Sequence, residues 1–196
     1  VRTTRPNWVV VLDSVLAAKD VRVFGPFTQP VRAAASWYDG SLAIWLSSSQ
    51  HDGEIKVWRN VQDPYASYSL RTEAASPILS MSPDGPWLAA QTSPNQVTLW
   101  KYDSDWAPMV WPMSGEVAAA AFSPLESLLA VGFADGAIRF YSVPEGELIA
   151  TISETGGRIS SLIISSPGTW MAAGYVPQSG QGRVKLWYSH DAVSLE

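Results

Sequence analysis

Five short segments constrain this chain more than anything else in it: Val21-Arg22-Val23-Phe24, Ile55-Lys56-Val57-Trp58, Val97-Thr98-Leu99-Trp100, Ile138-Arg139-Phe140-Tyr141 and Val184-Lys185-Leu186-Trp187. Each reads β-branched, polar, apolar, aromatic, a pattern that suits a strand and not a turn of helix. The closing aromatics stand 34, 42, 41 and 46 residues apart. A phrase returning at about forty residues marks one supersecondary unit repeated along the chain, and such a unit buries its faces only against its neighbours.

The rest of the unit can be read around the phrase. Upstream of each one lies a second element: Leu16-Ala17-Ala18, Leu42-Ala43-Ile44, Leu88-Ala89-Ala90, Leu129-Ala130-Val131 and Met171-Ala172-Ala173. Further upstream come segments rich in small residues, at Ala33-Ala34-Ala35, Ile78-Leu79-Ser80, Ala118 to Ala121 and Ile159-Ser160-Ser161. Small side chains suit inner strands that crowd together near a common axis. Ser82-Pro83-Asp84-Gly85, Ser123-Pro124 and Ser166-Pro167-Gly168 follow these inner segments as tight reversals, because Pro presets φ and Gly accepts positive φ. Outer strands are expected after the phrase, at Tyr65–Thr72, Trp106–Met113 and Glu147–Glu154. A four-stranded antiparallel sheet repeated at this spacing is a propeller blade. The reading is all-β: a β-propeller of about five blade units, approximately 8–30, 31–72, 73–113, 114–154 and 155–196, in one propeller domain or propeller fragment.

Composition narrows the function classes. Hydrophobic residues at 46% against 16% charged describe a chain with a packed core. The net charge of −5 and the lack of any Lys/Arg run argue against a nucleic-acid or membrane-surface footprint. Without cysteine there are no disulfides and no thiolate metal sites. No apolar run is long enough for a spanning helix, and the start Val1-Arg2-Thr3-Thr4-Arg5-Pro6 has no signal-peptide core, so the expected location is cytoplasmic.

The stretch from Ala118 to Thr151 carries a family likeness, through Ala121-Phe122-Ser123-Pro124, Leu128-Leu129-Ala130-Val131-Gly132, Asp135-Gly136-Ala137-Ile138-Arg139-Phe140-Tyr141 and Gly146-Glu147-Leu148. It resembles a WD-repeat β-propeller blade, and the resemblance runs from about residue 8 to residue 190. Two hallmarks are missing. No Gly-His pair precedes an inner strand, since the only histidines are His51 and His190. Arg59, Lys101, Ser142 and Tyr188 stand where the family places Asp after the closing aromatic. The family's His–Asp hydrogen-bond network therefore does not carry over, and Asp52, Asp84 and Asp135 are expected to bond locally to turn backbone instead. The first unit is trimmed: Ala17 reaches Phe24 in 7 residues, where later units take 15, 11, 11 and 15. Either five units close a ring, or the chain is part of a larger, seven-bladed propeller; the trimmed unit favours the second.

The two longer spacings place extra residues in Ser47–Glu54 and Val176–Arg183, both polar and Gly- or Ser-containing. The resemblance implies that these turns lie on the partner-binding rim beside the starts of the inner strands. The candidate partner-binding residues are accordingly Arg32, Gln50, His51, Asp52, Glu116, Arg158, Gln178 and Gln181, although a tolerated insertion is the plain alternative for the turns. Ten tryptophans are present. Trp45, Trp58, Trp87, Trp100, Trp170 and Trp187 recur in register and are expected in the core, while Trp8, Trp37, Trp106 and Trp111 fall outside it.

No reactive constellation appears: no Gly-x-Ser-x-Gly elbow, no phosphate loop, no triad or metal spacing. The expectation is a non-catalytic scaffold, without cofactor or metal, that presents a rim of loops to a protein or peptide and serves as a sensor or docking module of a larger protein or complex. A further chain or segment completing the propeller is a second kind of partner. The alternative is a lectin-like propeller using exposed tryptophans, and an enzyme built at the axis ranks last.

Overall fold

A computed structural model describes residues 9–12, 21–36, 41–49, 52–59, 63, 67–72, 78–83, 86–101, 106–125, 127–153, 157–165, 168–177 and 179–188. Every regular element among them is a strand, and the strands form antiparallel sheets in two compact units, Val1–Pro77 and Ile78–Glu196.

In the first unit, β1 (Val9–Leu12) pairs with β2 (Val21–Phe24) as a two-stranded sheet. A four-stranded sheet follows, made of β3 (Val31–Ser36), β4 (Leu42–Ser49), β5 (Asp52–Trp58) and β6 (Ser67–Thr72) in sequential order. Phe24 joins Leu42, Ile44, Leu46 and Trp58 in one buried cluster, its ring edge-on to Trp58 at 5.1 Å. The facing of this strand differs from that of the later phrase strands. In the first two blades of the second unit, the first and third phrase residues, Val97 and Leu99, then Ile138 and Phe140, face the following sheet. Here the closing Phe24 does so, and Val23 is exposed. The strand beside β2 is Val9–Leu12; Leu16-Ala17-Ala18 lies outside the described residues.

The second unit repeats one plan. The strands β7 (Leu79–Met81), β8 (Trp87–Ser93), β9 (Gln96–Lys101) and β10 (Pro108–Pro112) form one blade. The next consists of β11 (Val117–Phe122), β12 (Leu128–Phe133), β13 (Ile138–Ser142) and β14 (Leu148–Ile152). Last comes a three-stranded sheet, β15 (Arg158–Ile164), β16 (Trp170–Val176) and β17 (Arg183–Tyr188). The small-residue strands are innermost, and β11 lies against both β7 and β15. The strands are thus arranged as stacked blades of a β-propeller. Each expected inner, Leu-Ala and phrase segment of these repeats overlaps an observed strand, as do the expected outer segments at Trp106–Met113 and Glu147–Glu154, whose strands are Pro108–Pro112 and Leu148–Ile152.

Both faces of the central blade are covered, which explains its unbroken apolar runs. Leu129, Val131, Phe133 and Tyr141 pack on Ala89, Val97, Leu99 and Trp111 of the preceding blade. Ala130, Ile138 and Phe140 pack on Ile159, Met171, Ala173, Tyr175 and Trp187 of the following one. Inner turns are closed alike in all three: Ser82, Ser123 and Ser165 donate their N–H to the carbonyls of Trp87, Leu128 and Trp170 at 2.8–2.9 Å. Trp58, Trp100 and Trp187 are buried as expected, and so are Trp45, Trp106 and Trp111, while Trp87 is half-buried; Trp45, opposite Ile55, does not share the register position of Trp87, opposite Lys101, and Trp170, opposite Tyr188. Trp170 departs from expectation: it is 47% exposed.

Candidate partner-binding rim

At one end of the second unit, the turns before the phrase strands meet the starts of the next inner strands, tied by main-chain bonds. Val117 donates its N–H to the Pro94 carbonyl at 2.8 Å, and Met113 donates to Asn95 at 2.9 Å. Ala134, in the β12–β13 turn, donates to the Glu116 carbonyl at 2.9 Å. Gly157, at φ +111, sits so close to the end of β16 that a Cβ there would lie 2.5 Å from the Val176 oxygen. This leaves β15 starting directly against the β16–β17 turn.

Two candidates, Glu116 and Arg158, are brought together across adjacent blades. Arg158 Nη1 donates to Glu116 Oε1 at 2.6 Å, with both side chains about half exposed. Such a pair contributes about 0–1 kcal/mol to folding, so its main consequence is to fix two opposite charges in place on the rim. Gln181 is exposed in the β16–β17 turn, and Gln178 lies outside the described residues. In the first unit, Arg32 is tied down: its Nε donates to the Ser47 carbonyl at 3.2 Å. The neighbouring segment Ser47–Glu54 is mostly paired strand and not an open loop, with Leu46 opposite Glu54, Ser47 opposite Gly53 and Ser49 opposite Asp52. Gln50, His51 and the Asp52 side chain lie outside the described residues.

Two polar devices on the rim had no clear sequence signal. Gln91 is buried, and its Nε2 donates to the carbonyls of Pro94 (3.3 Å) and Val117 (3.2 Å), joining two blades. Arg139 lays its guanidinium over the Phe133 ring at 4.2 Å and reaches Asp135 at 3.4 Å. A cation over an aromatic face contributes about 0.5–1 kcal/mol or more when sheltered. Asp135 also accepts the Ala137 N–H at 2.9 Å, the local turn bond expected of it. Beside this group, burial raises the Tyr141 hydroxyl above its ordinary range, partly opposed by the Arg139 charge. The polar slot of the phrase bonds locally: Lys56 to Glu54, Thr98 to Thr92, Arg139 to Asp135. Lys185 lies over Trp187. No group of three His, Cys, Asp or Glu able to hold a metal occurs among the described residues. The arrangement offers fixed hydrogen-bonding groups and paired charges.

Comparison with known proteins agrees with this geometry. Residues 79–172 match the family model for the anaphase-promoting complex subunit 4 WD40 domain, from β7 into β16. The chain is 35% identical over 71 residues to the mouse periodic tryptophan protein 2 homolog, which is 36% of this chain and 7% of that protein. It is 32% identical over 78 residues to the Saccharomyces cerevisiae periodic tryptophan protein 2, covering 40% and 8%. The matched region thus spans less than a tenth of these relatives' length. The period, the blade architecture and these similarities agree in supporting a WD-repeat β-propeller, the family match itself covering residues 79–172.

Proposed function

We propose that this chain is a non-catalytic interaction scaffold whose rim, running from the Pro94-Asn95 turn through Glu116 and Arg158 to the turn at 177–182, docks a protein or peptide. The observation that carries the reading is the Glu116–Arg158 pair, held across two blades by strands whose backbone is already bonded to neighbouring turns. Groups fixed before binding lose little further freedom on association, so their hydrogen bonds and charges act at low entropic cost. A pair of opposite charges side by side suits a peptide carrying both signs. The matching family model is named for a subunit of a complex, which supports a docking module within a larger assembly.

The test is affinity capture with the chain as bait, comparing Glu116→Lys, the swapped double variant Glu116→Arg/Arg158→Glu, and a chain with the turn at 178–181 shortened. The swap keeps the ion pair and the fold but reverses the charges a partner meets. Capture falling at least about tenfold in the swap, with an unchanged unfolding midpoint, supports the rim. Capture undiminished in all three removes it. A lectin reading keeps one supporting observation, the exposed Trp170 with Tyr188 beside it at 4.5 Å between ring centroids, and sugar titration followed by tryptophan fluorescence tests it.

A further inference from the structure

The outer strand of the central blade is unlike the outer strands of the other two four-stranded sheets. β14 ends its sheet and is hydrogen-bonded to β13 alone. Alternate backbone N–H and C=O groups of such a strand face outward, because an edge strand uses only one side of its ladder. Leu148, Ile149, Ala150 and Thr151 are exposed in succession, on both faces of the strand, Leu148 at 55% and Ile149 at 58%. The other two edges are guarded. β10 runs between Pro108 and Pro112, and its Trp111 is turned into the core. β6 carries Arg71, and Arg59 reaches over its Tyr68 ring. Proline and charge are the devices that keep an edge from accepting another strand. From Leu148 to Ile152, β14 has neither.

The structure assigns the open edge of β14 as a docking site for an extended peptide, added antiparallel as one further strand and made of alternating apolar residues that end in Lys or Arg. Main-chain bonds give a strand added in this way its affinity, and its alternate side chains give selectivity. Charge chooses the occupant. Glu145 and Glu147 are exposed in the turn that leads into β14. The neighbouring Arg139 guanidinium is engaged by Asp135 and lies over the Phe133 ring. An antiparallel strand sets its C-terminal end beside the two glutamates, so that end is the basic one. A second copy of this chain fits less well, because it brings the same net charge of −5 and the same acidic strand start. This edge uses none of the rim residues and does not depend on the rim's function.

The probe is a dye-labelled peptide, Thr-Val-Thr-Val-Thr-Val-Lys-Lys, titrated into the whole chain and followed by anisotropy. It is expected to bind about tenfold or more tightly than the same peptide ending in Glu-Glu. N-methylation of alternate residues blocks one side of the peptide's ladder. Methylating the set that faces β14 should abolish binding, and methylating the other set should leave it intact. Ile149→Lys puts a charge on the edge and should weaken binding about tenfold or more, with the unfolding midpoint unchanged because Ile149 is exposed. The double variant Glu145→Lys/Glu147→Lys should reverse the preference toward the Glu-ended peptide. Failure of the Lys-ended peptide to bind, or binding that survives both methylated sets, overturns the proposal. So does a loss in Glu116→Arg/Arg158→Glu as large as that in Ile149→Lys, which places the peptide on the rim. An equal loss in Leu186→Glu places it on the last sheet and overturns the proposal too. Self-association of the chain abolished by Ile149→Lys would give the edge to a second copy, against the proposal.

Discussion

Gly132 shows how one side chain sets the distance between two blades. Its missing Cβ leaves room for Ile159, and Gly132→Val should push the sheets apart. Overpacking of this kind costs about 1–3 kcal/mol, read as a lower denaturant midpoint with the m-value unchanged. Gln91 acts at the equivalent place by bonding instead of by space. Gln91→Ala removes the donor from the buried Val117 carbonyl and should cost about 1–3 kcal/mol. Tyr141 gives a prediction in pH. Burial raises its folded-state pKa above the unfolded value, so the native state holds this proton longer than the unfolded chain does. Its contribution is fully present below pH 10 and is lost as pH rises through the folded value. Equilibrium unfolding measured from pH 8 upward should therefore show a shallower alkaline decline in Tyr141→Phe than in the parent chain.

At the level of strands and sheets, Phe24 is the clearest case of one contact joining two elements. Phe24→Ala should cost about 3–5 kcal/mol by emptying the cluster around Trp58, with the loss confined to the first unit as read by hydrogen exchange. The sequence reading placed β2 as a strand and left open which of its faces a neighbouring sheet covers. Alternation tells which residues share a face, not which face a neighbouring sheet will cover. The same limit applies to Trp170, which shares the register position of the half-buried Trp87 and yet is exposed. What did read through was the part set by local chemistry: the phrase as a strand, the Ser-led turns, and the Asp135 bond to Ala137. On the rim, Glu116 and Arg158 were legible as strand starts, yet their pairing depends on how two blades stack. Gln91 carried no signal, because the equivalent positions hold Trp45, Gly132 and Gly174 and share no chemistry.

For the whole chain, charge and apolar exposure act together. The net charge of −5 vanishes near a pI of about 5.0, where repulsion between molecules no longer offsets attraction between exposed Val184, Leu186 and Ile163. Light scattering should therefore rise as pH falls from 7 toward 5, and Leu186→Glu should suppress that rise by adding negative charge and removing apolar surface together. In the second unit each blade is held by its immediate neighbours, so its cohesion is distributed contact by contact along a stack. Among the described residues of the second unit, the sheet from β15 to β17 packs against the central blade alone, and under tension it is the weak link. A force applied at the C-terminal side should peel β17, then β16, from the stack before the central blade yields, giving the molecule a defined order in which it comes apart.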